Sequence, residues 1–124
     1  MKKKITAVLA AVMLLTALTG CGRVKEEDII GVWRISYFET EGGEKRQPDE
    51  TDRMLGGYIE VTKEKFSIGY SIILINRDWE IKGSDQILVH ATERFEEMIF
   101  TYSDGKLIYQ NSETGEKEVF EKQP

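Results

Sequence analysis

The stretch Trp79-Glu-Ile81-Lys-Gly83-Ser-Asp85-Gln-Ile87-Leu-Val89, followed by Phe100-Thr-Tyr102-Ser-Asp104-Gly105-Lys-Leu107-Ile-Tyr109, decides the fold class. In each half, apolar and polar residues alternate with period two, as in a strand that turns one face to a core and the other to water. Between the arms lie Gly83-Ser84-Asp85 and Ser103-Asp104-Gly105, residue types that tolerate the positive φ of a tight reversal. Two hairpins of loosely similar pattern follow from this.

The same signals extend in both directions. Glu113-Thr114-Gly115-Glu116 separates Leu107 and Tyr109 from a last strand carrying Val119 and Phe120. Upstream, Trp33, Ile35 and Tyr37 alternate with Arg34 and Ser36. Tyr58 to Val61 leads across Thr62-Lys63-Glu64-Lys65 into Phe66, Ile68, Tyr70 and Ile72. The apolar run Ile72 to Ile75 is out of phase with Trp79, which requires a bulge or a turn near Asn76-Arg77-Asp78. Only Glu26-Glu27-Asp28 suits a helical turn, through acidic side chains at its N-terminus. The pattern predicts an all-β chain, an antiparallel up-and-down meander of seven or eight strands closing into a small barrel that removes its own edges. Trp33, Ile35, Tyr37, Phe66, Ile68, Phe100 and Leu107 are expected inside.

The chain has 124 residues, 40% of them apolar, with Pro48 and Pro124 as its two prolines, which suits one globular domain and excludes collagen-like or wholly disordered classes. One cysteine, Cys21, and one histidine, His90, cannot form an intramolecular disulfide or a Cys/His zinc centre.

Lys2, Lys3 and Lys4 precede an apolar run from Ile5 to Leu18, laid out as a secretory signal and shorter than the roughly 20 residues of a membrane span. It ends in Leu18-Thr19-Gly20-Cys21, which resembles the lipobox of bacterial lipoproteins. The resemblance implies diacylglyceryl transfer to the Cys21 thiol, cleavage before it and acylation of the new amino terminus. Two acyl chains on one residue anchor firmly where one does not. Residues 1–20 then form a cleaved signal helix, 21–29 a lipidated tether and 30–124 the barrel domain, extracytoplasmic and held to a bacterial membrane. The other reading is a plain secretory signal with an incidental cysteine. Losing Lys2, Lys3 and Lys4 leaves 14 basic against 22 acidic side chains, a charge of −8 that repels nucleic acid and anionic lipid from the folded part.

Gly31-Val32-Trp33, opening the first strand, resembles the Gly-x-Trp signature of lipocalins and related calycin barrels. Tyr58 to Ile68 is similar to the second hairpin of small bacterial lipocalin-like lipoproteins, and Phe100 to Phe120 to their closing strands. Lipocalins commonly place an arginine over that tryptophan; here the nearest cation of the last strand is Lys122, whose ammonium could take the position. The resemblance implies a non-enzymatic domain that binds a small apolar or amphiphilic ligand, with the first long loop over the barrel mouth. Thr40 to Asp52 holds that place, but its lack of aromatic and aliphatic side chains predicts a solvated, disordered segment rather than a lid.

Trp33 is expected to plug the closed end, as large aromatics dominate cores. Tyr37, Tyr70, Trp79, Tyr102 and Tyr109 are the candidate ligand-binding residues, since buried hydroxyls and indole N–H groups need partners. His90, isolated on the face opposite Val89, reads as surface. Asp49-Glu50-Thr51-Asp52 crowds carboxylates without the glycine or spacing of a calcium loop. Glu96, Glu97, Glu116, Glu118 and Glu121 read as solvated charge. With the one thiol acylated and the one histidine unaccompanied, no nucleophile and base can be assembled, so no enzyme activity, metal or cofactor is expected. A second function fits the same sequence: a tethered interaction or inhibitor module for an envelope protein. The bulk of the inward aromatics favours a barrel filled by its own side chains, or one holding a single small ligand.

Overall fold

A computed structural model describes residues 23–124; Cys21 and the signal segment lie outside the described residues. In chain order the elements are α1 (Glu26–Ile29), β1 (Gly31–Glu39), β2 (Lys45–Arg46), α2 (Glu50–Met54), β3 (Leu55–Val61), β4 (Phe66–Tyr70), β5 (Ile73–Arg77), β6 (Trp79–Lys82), β7 (Gln86–Val89), β8 (Met98–Ser103), β9 (Lys106–Gln110) and β10 (Lys117–Lys122). The strands form one antiparallel sheet in the order β5-β4-β3-β1-β10-β9-β8-β7-β6, with the short β2 beside β1. Pairing of β1 with β10 brings the ends of the domain together, and the sheet curls into a nearly closed barrel compatible with the lipocalin type. Its two edges, β5 and β6, are consecutive in the chain and separated by Asp78.

Register explains the core. Trp33, Ile59, Ile68 and Ile75 stand opposite one another across β1, β3, β4 and β5. Ile35, Phe120, Leu107 and Tyr102 do the same across β1, β10, β9 and β8. Phe100 packs at the centre, its ring 5.0 Å from Phe66, 5.3 Å from Tyr109 and 6.1 Å from Phe120. Of the seven residues expected inside, six are buried.

Tyr37 is the exception. A shift of register between Ile35 and Tyr37 adds a residue to β1 and turns Phe38 inward in its place, which is what a bulge does to the alternation. Tyr37 pairs with Val119 instead, with the ammonium groups of Lys45 and Lys106 over its ring at 4.6 and 5.5 Å.

The turn signals predict seven or eight strands and the sheet has ten, in part because the run from Phe66 through Ile75 is folded in two. Ser71 takes φ 60° and Ile72 stands 97% exposed at the tip, so β4 and β5 are a hairpin whose turn has neither glycine nor asparagine.

α1 closes one end of the barrel. Ile29 is fully buried, and its carbonyl accepts the Trp33 indole N–H at 2.8 Å. Lys122 Nζ lies 5.8 Å from the Trp33 ring centre and donates to the carbonyls of Glu27 and Asp28 at 3.3 and 3.2 Å, where cations suit a helix C-terminus. Gly31 makes this approach possible. Its φ is +143°, and a Cβ there would come within 2.6 Å of Lys122 Cε. Val24 joins the core as well, its N–H donating to Ser84 O at 2.7 Å.

Arg77, at the end of β5 and 2% exposed, ties that edge strand to the connection between β7 and β8. Its guanidinium donates twice to His90 O, at 3.0 and 2.9 Å, once to Glu96 O, and reaches Met98 Sδ at 3.1 Å. An inward charge on an edge strand discourages pairing with other chains, and here it also fixes the 90–97 connection.

Candidate functional site

At the end of the barrel away from α1 lies a cavity of about 160 Å³, open to solvent on the side of the exposed Leu55. Glu118, Tyr109 and Phe100, opposite one another across β10, β9 and β8, line one side of it, and Phe38 on β1 continues their row. Tyr70, from the end of β4, lies on the other side with Ile59 and Ile68, and Phe120 of β10 completes the lining. The Tyr70 ring stacks on Phe95 at 5.7 Å, which fixes its plane.

Glu118 is the polar feature of this space. It faces inward because it is two residues from the buried Phe120 on one strand, and among the described residues it forms no ion pair or side-chain hydrogen bond. Burial pushes its carboxyl up to about 6, the carboxylates of Glu116 and Asp52 push it the same way, and the Arg46 cation opposes them. Tyr70 and Tyr109 are also held above the ordinary phenol value, chiefly by burial and further by the charge of Glu118, while the Arg77 cation pulls both down. Burial in turn lowers Arg77. Both phenols and Glu118 therefore meet in one partly dry space.

The segment from Thr40 to Asp52, expected to be disordered, is an ordered strap beside this space. β2 pairs with the end of β1, placing Arg46 opposite Phe38. Asp49 caps α2, accepting from Asp52 N–H at 2.7 Å while its own N–H donates to Asp52 Oδ2 at 3.0 Å. Arg46 bridges Asp52 at 3.1 Å and Glu116 at 3.0 Å, with its guanidinium carbon 4.0 Å from the Phe38 ring centre. Hydrogen bonds and ion pairs order the strap, and Pro48 is its one buried residue. They also occupy two carboxylates of the acidic cluster, and the hydrogen bond from the Asp49 backbone holds Asp52 below the usual carboxylate range.

Of the five candidate ligand-binding residues, Tyr70 and Tyr109 line the cavity. Tyr102 packs edge-on against Trp33 at 6.4 Å, toward the closed end. Trp79 opens β6 and donates its indole N–H to Thr62 O at 2.9 Å. Tyr37 is on the outer face, as described. His90 is half-exposed beside Glu80, at 3.3 Å. Glu118, read from the sequence as solvated charge, is the residue that reading missed. Its signal was present: strict alternation from Phe120 places residue 118 inside.

A larger hollow of about 420 Å³ lies on the outer face between α2 and the β3–β5 surface, with Arg34, Arg53, Tyr58 and Leu74 in its walls. Beside it Met54, Leu55, Ile72, Ile73 and Leu74 are all exposed. No family model, curated protein or solved structure matches the chain.

Proposed function

We propose that the chain is a lipid-anchored protein of a bacterial cell envelope, whose lipocalin-like barrel binds one small apolar or amphiphilic molecule and catalyses no reaction. The cavity around Glu118, Tyr70 and Tyr109 carries the binding reading, because it joins apolar walls to a few convergent polar groups, the usual make-up of a ligand site. Its volume of about 160 Å³ lies well below the roughly 300 Å³ at which drug-sized pockets begin, so the ligand is small. The anchor rests on Lys2, Lys3 and Lys4, the apolar run and Leu18-Thr19-Gly20-Cys21 taken together. Cys21→Ala should give an unprocessed precursor that takes up no radioactive fatty acid; labelling of the variant would end the lipoprotein reading.

One observation favours a second reading, a tethered interaction or inhibitor module. Ile72, Ile73 and Leu74 are exposed on the β4–β5 hairpin, an apolar surface able to meet another protein side chain to side chain. A protein partner crosslinked in membranes and lost with Ile72→Glu would favour the module over the carrier.

A further inference from the structure

We propose that the cavity selects a small organic ammonium cation, held between the Glu118 carboxylate and the rings of Tyr70, Tyr109 and Phe100. The inference rests on the carrier reading and names the ligand class for the same site. Two observations carry it: the unpartnered inward carboxylate and the aromatic walls around it.

Every cation near the space is already committed. Arg46 is engaged by Asp52 and Glu116, and Arg77 by the carbonyls of His90 and Glu96. Neither forms an ion pair with Glu118, whose charge is left for a ligand to neutralise. A purely apolar guest would strip water from that carboxylate and return nothing, and an anion would be repelled by it. A cation gains from the carboxylate and from the negative faces of the surrounding rings together. The volume suits such a guest: about 160 Å³ is close to the cavity of roughly 150 Å³ that holds benzene in an engineered protein, and it has no room for a fatty acyl chain. The excess of acidic side chains, 22 against 17 basic, raises the concentration of cations near the mouth.

The groups that bear on Glu118 fix the pH dependence. Glu116, just before β10, and Asp52 of α2 raise its titration, and Arg46 of β2 lowers it. Phe38 on β1 and Tyr109 on β9 flank it in register, Tyr70 on β4 lines the same cavity, and the Arg77 cation acts on the two phenols. Both phenols stay neutral through the range in which Glu118 titrates, since each is held above the ordinary value. Affinity for a cation should therefore follow the ionised fraction of Glu118 and fall as pH drops through about 6.

The test is calorimetric titration of the full chain in nonionic detergent with choline, and with the uncharged isostere in which a tert-butyl group replaces trimethylammonium. Near pH 8 choline should bind about tenfold or more tightly than the isostere. Near pH 5, one unit below the midpoint of about 6, choline affinity should drop about tenfold. Glu118→Gln should reduce choline to the level of the isostere and remove the pH dependence, with the dispersion of its amide spectrum reporting an intact fold. Tyr109→Phe should keep choline binding and Tyr109→Leu should weaken it about threefold or more. Equal or tighter binding of the isostere, unaffected by Glu118→Gln, overturns the cation site and leaves an apolar carrier standing. Absence of binding by both probes overturns the cation site as well, and a neutral molecule retained from the host would then still support the carrier.

Discussion

Glu118 is kept inside by the strand that carries it, at a cost to the fold. Its folded-state value of about 6 lies above the ordinary 4.5, so the native protein holds that proton to a higher pH than the unfolded chain does. Stability contributed by that difference is full below about 4.5 and lost as pH rises through about 6. The shift corresponds to about 2 kcal/mol, and partial solvent access reduces this to about 1 kcal/mol. Glu118→Gln should therefore raise the unfolding free energy at pH 7 by about 1 kcal/mol and flatten its slope between pH 4.5 and 6. Denaturant titrations across that range check both effects. An unchanged slope would mean that the carboxyl is solvated. A residue that binds better than it stabilises is what a ligand site leads one to expect.

At the level of elements, the strap and the Arg77 tie are the two devices that shape the cavity. Arg46 holds the strap to Glu116 and Asp52, and its cation lowers Glu118. Arg46→Ala should speed amide exchange from residue 44 to 54 and move the Glu118 titration further above about 6, both readable by NMR. At the β5 edge, Arg77→Ala should cost about 3 kcal/mol, because it leaves buried carbonyls of the 90–97 connection without donors. Chemical denaturation gives that loss, and exchange confined to residues 90–97 shows where it arises. The hairpins at Gly83 and at Asp104-Gly105 were legible because their turns need positive φ, and these residues supply it. The Ser71 turn was not, because an apolar run looks the same whether it is one strand or two. The bulge in β1 was hidden as well. Nothing in Ile35-Ser36-Tyr37-Phe38 marks an extra residue, so Tyr37 was assigned the place that Phe38 takes. Glu118 was obscured by company, since Glu116 and Glu121 on either side do belong to the surface. For the strap, composition was the wrong guide: Asp49 and Asp52 stand three apart at a helix start, which is a capping signal rather than a mark of disorder.

Taken whole, the molecule is a sheet closed through its first and last strands and left open between two consecutive ones. Arg77 ties the β5 edge to the 90–97 connection, and a core of this size needs no disulfide. The closed end is packed by α1, Trp33 and Lys122; the other end keeps a small space with a charge in it. That space is proposed to hold one small molecule. Native mass spectrometry of the full chain purified from its own host tests that most directly. One reproducible low-mass adduct per chain is expected, absent from Glu118→Gln. A chain that flies bare, or that carries only a protein partner, would contradict it.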